Sequence, residues 1–172
     1  LVGNLSALDG DVGDVHTYTL VAGAGSANNA SFTISGNQLL TATALNFEVK
    51  SSYSIRIQTN DGNGGTYQKA FSIAVNDVNE APLYHDAAVS IVENLSNASN
   101  VLNTSATDVD ALQVLTYSIV SGNTGGAFSI NSSSGQISVA NSFALNYEVT
   151  PLFSLVVRAT DNGTGSLFDN AA

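Results

Sequence analysis

The same short pattern occurs twice in this chain, about a hundred residues apart. "ALNFEV" spans residues 44–49 and "ALNYEV" spans residues 144–149. Further matches follow in the same order in both halves, at nearly the same offset. They pair Asp9 and Asp11 with Asp108 and Asp110, Tyr18 with Tyr117, Phe32 with Phe128, and Asp61 with Asp161. Self-similarity of this period predicts two copies of one structural module within the 172 residues.

The boundary between the copies is predicted at "NDVNEAPL", residues 76–83, where Pro82 and a polar run interrupt the strand pattern. We therefore place the first domain at residues 1–78 and the second at residues 79–172. By this division the first copy lacks its N-terminal strand and the second its C-terminal strand. Because the chain also begins at Leu1 rather than Met, we expect a piece of a longer array.

Short runs of alternating apolar and polar residues dominate both copies, as in "HTYTLV", "SYSIRIQT" and "LTYSIV". Such alternation is typical of strands with one face in a core and the other in water. Clusters of Gly, Asn, Asp and Ser separate the runs and favour turns. The pattern predicts an all-β fold of β-sandwich type. We expect nine aromatic residues in its cores: Tyr18, Phe32, Phe47, Tyr53, Phe71, Tyr117, Phe128, Tyr147 and Phe153.

The chain carries many more acidic than basic residues. Fourteen acidic residues face four basic ones, which gives a formal net charge of −10. This balance excludes a surface that binds nucleic acid through its phosphates and argues against docking on an anionic membrane. The chain has no cysteine for a disulfide, and no apolar run is long enough to span a membrane. An acidic surface suits cations, or simply solubility.

Most of the carboxylates sit in the repeated motifs or in the stretch between them. In a sandwich, the loops cluster at the two ends, so domains joined end to end would bring linker and loops together. Six carboxylates would then converge: Glu48, Asp77, Glu80, Asp108, Asp110 and Asp161. Two like charges about 4 Å apart repel by roughly 4 kcal/mol at an effective dielectric near 20. Calcium, which prefers 6–8 oxygen ligands, would reverse the sign of this energy. Asp14, Asp86 and Asp169 belong to no motif, and we expect them on the surface.

The order of these motifs resembles that of tandem cadherin repeats. The resemblance rests on "VEN" with Glu93, Asp-x-Asp in both copies, "LNFE" and "LNYE", "TND" with Asp61, "ATD" with Asp161, and the linker "DVNEAP" from Asp77 to Pro82. It covers essentially the whole chain. It implies two tandem Greek-key β-sandwich domains of cadherin or immunoglobulin-like type, joined end to end. The few Lys and Arg residues and the absence of Cys favour a bacterial type of this repeat.

The resemblance also implies a set of calcium ligands for about two or three ions. The first repeat would supply Asn46 and Glu48, and the linker would supply Asp77, the Asn79 carbonyl and Glu80. Asp108, Asp110, Asp161 and the Asn123 carbonyl would come from the second repeat. Asp9, Asp11 and Asp61 would serve a junction with a preceding repeat, and Glu93 and Glu148 a junction with a following one. The aromatic residue beside Glu48 or Glu148 would point away from the ion and pack.

Three functions remain open on the sequence. The first is a calcium-rigidified spacer and adhesion unit of a larger secreted or cell-surface protein, with a homophilic or other surface-protein partner. The second is a carbohydrate-binding module that anchors a cell or enzyme to polysaccharide. The third is a hydrolase with calcium as a structural ion. No Gly-x-Ser-x-Gly or Ser-His-Asp order supports catalysis, so we expect a protein that is not an enzyme.

Overall fold

The alternating runs form antiparallel strands in both halves of the chain. A computed structural model describes residues 1–11 and 13–172. These residues divide into two compact units, Leu1–Val78, called the first unit, and Asn79–Ala172, called the second unit. None of the helices in the described residues has the length and apolar character that crossing a membrane requires.

The first unit consists of two three-stranded sheets. One has the strand order β1-β4-β3 and the other β2-β5-β6. Buried apolar residues from both sheets form one cluster, in which the rings of Phe32 and Tyr53 meet edge to face at 5.7 Å between centroids. Two sheets that share a core in this way make a sandwich. The strands are β1 Gly3–Asn4, β2 Thr17–Leu20, β3 Phe32–Ser35, β4 Gln38–Thr41, β5 Ser52–Asn60 and β6 Thr66–Ala74.

The second unit repeats this arrangement strand for strand. Its sheets have the orders β7-β10-β9 and β12-β11-β8. Its core cluster includes Phe128, Ile137, Val139 and Val157. The strands are β7 Asn100–Asn103, β8 Thr116–Ser121, β9 Phe128–Ile130, β10 Gln136–Val139, β11 Val156–Thr160 and β12 Phe168–Ala171.

The repeated residues occupy the same places in both units. Phe32 begins β3 and Phe128 begins β9, and both are buried. Asp61 directly follows β5 and Asp161 directly follows β11. The predicted all-β sandwich class is confirmed by this topology.

Three of the nine aromatic residues expected in a core are exposed. Phe47 and Tyr147 lie in turns rather than on strands, so strand alternation does not direct them inward. Phe71 lies on β6 with a side chain that is 37 % exposed. Tyr84, which the sequence pattern did not indicate, is 5 % exposed and packs edge to face on Tyr117 at 5.9 Å between centroids. Core membership therefore depends on which segments cover a sheet and not on alternation alone.

The two separate cores lead to a prediction about stability. Ile55 on β5 is fully buried, so Ile55→Ala removes packed methylene groups and should destabilise the first unit by about 2–5 kcal/mol. Hydrogen exchange followed by mass spectrometry should show faster exchange across β5 and unchanged exchange across β11. Val49→Ala, at a side chain that is 83 % exposed, serves as the control. Equal loss of protection in both units would contradict separate cores.

Candidate metal centre

Two carboxylates of the second unit lie in the loop that joins β7 to β8. The Oδ1 atom of Asp108 accepts a hydrogen bond of 3.0 Å from the backbone N–H of Asp110. This bond closes a short turn of the kind that Asp favours. The turn directs Asp110 inward, where its side chain is 7 % exposed.

A third carboxylate follows β11 and is buried more deeply. Asp161 is 4 % exposed. Its Oδ1 atom accepts backbone hydrogen bonds from Gly163 at 3.0 Å and from Leu167 at 3.1 Å, which holds the turn before β12. Asp61 has the same role in the first unit, since its Oδ1 accepts from the backbone N–H groups of Asn63 at 2.7 Å and Gly65 at 3.0 Å. The turn residues thus fix the carboxylate in both repeats.

The start of the second unit is tied to these carboxylates. The Nδ2 atom of Asn79 donates to the Oδ2 of Asp161 at 3.1 Å, and the backbone N–H of Glu80 donates to the Oδ2 of Asp110 at 2.9 Å. The side chain of Gln113 donates to the Oδ1 of Asn79. A side chain on Gly163 would collide with both Asn79 and Gln113. The linker and the two acidic loops therefore form one hydrogen-bonded group within this unit.

Several oxygens of this group have no partner. The Oδ2 of Asp108, the Oδ1 of Asp110 and the Oε1 of Gln113 are buried and accept no hydrogen bond. The only Lys or Arg in the sequence from 79 to 172 is Arg158. Its guanidinium stacks on the ring of Phe168, 3.8 Å from the centroid, and donates to Asn170. A buried carboxylate without a counter-charge is costly, so this site favours a bound cation.

The donor atoms indicate which cation fits. They are carboxylate and amide oxygens, with no sulfur and no imidazole among them. Hard cations with flexible coordination, calcium above all, prefer such oxygens. Zinc and copper prefer Cys and His ligands. The buried oxygens of Asp108, Asp110 and Gln113 thus match the chemistry of a calcium site.

Asn46 and Asn146 act locally as turn caps. The Oδ1 of Asn46 accepts from the backbone N–H of Val49 at 2.7 Å, and that of Asn146 accepts from Val149 at 3.1 Å. This capping leaves one lone pair of the side-chain oxygen for any metal. Glu48 is exposed within the first of these turns, and Asp77 is exposed near the end of the first unit.

The Asn123 carbonyl, predicted as a ligand, accepts the backbone N–H of Gly126 at 3.1 Å. The side chain of Asn123 is bound to the backbone of Phe128 through both Oδ1 and Nδ2, at 2.9 and 2.8 Å. Among the hydrogen bonds of the described residues, none joins Asn123 to Asp108, Asp110 or Asp161. Asn123 therefore organises the start of β9.

The first unit has an acidic group of its own. One oxygen from each of Asp9, Asp14 and Asp61 lies within 4.8 Å of the others. His16 contacts Asp9, with 3.3 Å between Nε2 and Oδ2. The pKa of Asp9 is lowered, chiefly by the hydrogen bond from the backbone N–H of Asp11. Asp11 itself, predicted as a ligand, is exposed and does not belong to this group.

Sequence reasoning missed one position in each repeat. Asp14 was expected on the surface, and Gln113 was not singled out. Both stand five residues after the first Asp of the Asp-x-Asp pair, Asp9 in one copy and Asp108 in the other. In both copies, the residue at this offset has an oxygen in its side chain. This shared property would have indicated the two positions.

Comparison with known proteins agrees with the geometry. The Cadherin domain family model matches residues 87–172. Mouse Protocadherin Fat 2 is 36 % identical over 134 residues, which is 74 % of this chain and 3 % of that protein. Human Cadherin EGF LAG seven-pass G-type receptor 2 is 31 % identical over 169 residues, or 94 % of this chain and 6 % of the relative. The chain thus spans a small fraction of the curated relatives it matches.

Solved structures share the fold. Human Protocadherin-24 EC1-2 superimposes with a TM-score of 0.75 at 24 % identity, covering 98 % of this chain and 81 % of that one. The relatives named here are animal proteins, so a bacterial type of repeat stays a prediction. The matches place the chain outside the cell or at its surface and give no support to carbohydrate binding. With half of its sequence matched by the family model and its fold shared with a tandem pair, the chain belongs to the cadherin domain family.

Proposed function

We propose that the chain is a calcium-binding spacer and adhesion unit of a larger secreted or cell-surface protein. The observation that carries this proposal is the set of buried, unpartnered oxygens on Asp108, Asp110 and Gln113. The second unit contains no Lys or Arg that could neutralise them other than Arg158, which is held on Phe168. A calcium ion would supply the missing charge.

The ligands that we assign to the second unit are Asp108, Asp110, Asp161 and Gln113, together with Asn79 and Glu80 of the linker. The hydrogen bonds of Asn79 to Asp161 and of Glu80 to Asp110 support the inclusion of the linker. We assign Asn46, Glu48 and Asp77 of the first unit from the motif order alone. In the first unit, Asp9, Asp14 and Asp61 would form a further site.

If one site takes ligands from both repeats, bound calcium would restrict the movement of one repeat relative to the other. Only the arrangement that presents both sets of ligands binds the ion, so calcium shifts the population toward that arrangement. The spacer role follows from this linkage. The family match points to adhesion rather than catalysis, and a homophilic or other surface-protein partner fits relatives that carry the name protocadherin.

The calcium site predicts a reversal in the effect of one substitution. With chelator, Asp110→Asn should leave stability unchanged or raise it, because it removes a buried charge that has no counter-charge. With calcium at a hundredfold excess over Kd, the wild type should gain about 2.7 kcal/mol, and Asp110→Asn should gain much less. Thermal unfolding in chelator and in millimolar calcium measures both effects.

Asp86→Asn is the matched control for this experiment, since Asp86 is exposed and belongs to no acidic group. It should respond to calcium as the wild type does. Magnesium, which demands tighter octahedral geometry, should stabilise less. An identical calcium response in Asp110→Asn and the wild type would rule out the site.

The spacer role predicts that calcium narrows the distribution of distances between the units. The chain has no cysteine, so Asn37→Cys and Ser133→Cys, both at exposed hairpin positions, allow specific labelling with two dyes. Single-molecule energy transfer should show a broad distribution with chelator and a narrow one with calcium. Glu48→Gln should prevent the narrowing.

Glu148→Gln provides the control, because Glu148 is the repeat equivalent of Glu48 but would serve a junction with a following repeat. It should leave the narrowing intact. If Glu48→Gln and Glu148→Gln behave alike, the assignment of Glu48 is wrong. If calcium does not change the distance distribution, the spacer role is refuted. The calcium site of the second unit would then still be decided by the thermal unfolding experiment.

A further inference from the structure

One loop of each repeat contains an Asn-Gly pair. The pair is Asn63-Gly64 between β5 and β6, and Asn162-Gly163 between β11 and β12. An Asn-Gly pair can lose ammonia, because the backbone nitrogen of the glycine can attack the side-chain amide carbon when no Cβ crowds it. The attack requires a glycine N–H that is not hydrogen-bonded and an amide side chain that can turn toward it.

The loop of the first unit binds its backbone N–H groups except at the position of attack. The Oδ1 of Asp61 accepts the N–H groups of Asn63 at 2.7 Å and Gly65 at 3.0 Å. The N–H of Gly62 donates to a neighbouring side chain at 2.7 Å. Among the hydrogen bonds of the described residues, none involves the N–H of Gly64. Gly64 has a φ of +107°, and a Cβ at this position would meet nothing within 4 Å. The attacking nitrogen is therefore free and uncrowded.

The side chain of Asn63 is held by one contact. Asn63 is exposed, and its Nδ2 donates to the Oδ1 of Asp14 at 2.8 Å. Water competes for both partners of an exposed hydrogen bond, so the net stabilisation is small. Within the part of the chain that the structure describes, the Oδ1 of Asn63 accepts no hydrogen bond. The amide carbon can therefore turn toward the nitrogen of Gly64 once this contact breaks.

The second unit holds the equivalent pair at both ends. The N–H of Gly163 donates to the Oδ1 of Asp161 at 3.0 Å. The Oδ1 of Asn162 accepts the backbone N–H of Val114 at 2.8 Å. Gly163 also lies directly against the side chain of Asn79. The nitrogen and the amide are thus both anchored, and they can react only after this loop opens.

We propose that Asn63 is a site of spontaneous deamidation, at which a neutral amide becomes a carboxylate beside Asp14. The nitrogen of Gly64 forms a bond to the side-chain amide carbon, and its proton leaves with the amide nitrogen as ammonia. Water then adds to either carbonyl carbon of the resulting succinimide ring and opens it. The products are aspartate and isoaspartate, and water is the only co-reactant.

Deamidation at this position changes the acidic group of the first unit. Asp9, Asp14 and Asp61 already bring one oxygen each within 4.8 Å of the others. A carboxylate at Asn63 replaces the hydrogen-bond donor to Asp14 with a like charge, which destabilises the loop when no cation is bound. If the group binds calcium, as the proposed function requires, an additional charged ligand raises its affinity.

Trypsin separates the two pairs, because the chain has few Lys and Arg residues. Cleavage gives one peptide of residues 57–69, which contains Asn63, and one of residues 159–172, which contains Asn162. The folded chain is incubated with chelator, and samples are digested and analysed by mass spectrometry with fragmentation. Asn63 should convert at least about tenfold faster than Asn162, since two hydrogen bonds must break at the second pair. Isoaspartate should be among the products.

The same chain unfolded in denaturant is the control, because only the local sequence acts there. Both pairs should then react at similar rates. Asn63→Gln should abolish the reaction in the peptide of residues 57–69 and leave the slow reaction at Asn162 unchanged. A rate at Asn63 that does not exceed the rate at Asn162 in the folded chain would overturn the proposal. So would an Asn63 that stays intact while the unfolded chain reacts, or a product without isoaspartate.

Asn63→Asp copies one product and tests the effect on calcium separately. Thermal unfolding over a series of calcium concentrations should show the response at roughly several-fold lower calcium in Asn63→Asp than in Asn63→Gln. Equal responses would refute the gain in calcium affinity, which rests on the proposed function. The deamidation itself does not depend on calcium and is decided by the mass measurement.

Discussion

The central constraint on this structure is the presence of buried carboxylate oxygens in a chain almost without positive charge. Asp110 and Asp161 are both less than a tenth exposed. The Oδ1 of Asp161 accepts the backbone N–H groups of Gly163 and Leu167 and its Oδ2 accepts the side-chain amide of Asn79, whereas one oxygen of Asp110 accepts nothing. The side chain of Asp161 holds its turn and binds Asn79, and the side chain of Asp110 binds the backbone N–H of Glu80. Without a bound ion, the buried charge at this site is uncompensated, which lowers the stability of the fold.

The same local hydrogen bonds arrange the acidic loops in both units. An Asp after β5 or β11 holds the following turn, and an Asp at the start of each Asp-x-Asp pair binds the backbone two residues on. These are local bonds that a short sequence can specify. The β-sheets place the two loops near each other in each unit, and the core aromatic contacts hold the sheets together.

Much of this could be predicted from the sequence because the information is local or repeated. Strand alternation indicated the all-β class. Asp108, Asp110 and Asp161, which match Asp9, Asp11 and Asp61 of the first copy, indicated the acidic loops of the candidate site. Asp14 and Gln113 share only their offset of five residues from the first Asp of the pair and an oxygen in the side chain, since the surrounding residues differ between "VGDVH" and "ALQVL". The exposure of Phe47 and Tyr147 was also missed, because Asn46 and Asn146 cap turns there and the two-residue period of a strand does not apply.

The difference between Asp14 and Gln113 has a consequence for how a chain of such repeats would respond to its surroundings. The group in the first unit has a carboxylate where the second unit has a neutral amide. Calcium affinity is tuned by the number of charged ligands, so under the proposed function the two groups would saturate at different calcium concentrations. In an array of such repeats, stiffness would then rise in steps as the calcium concentration rises.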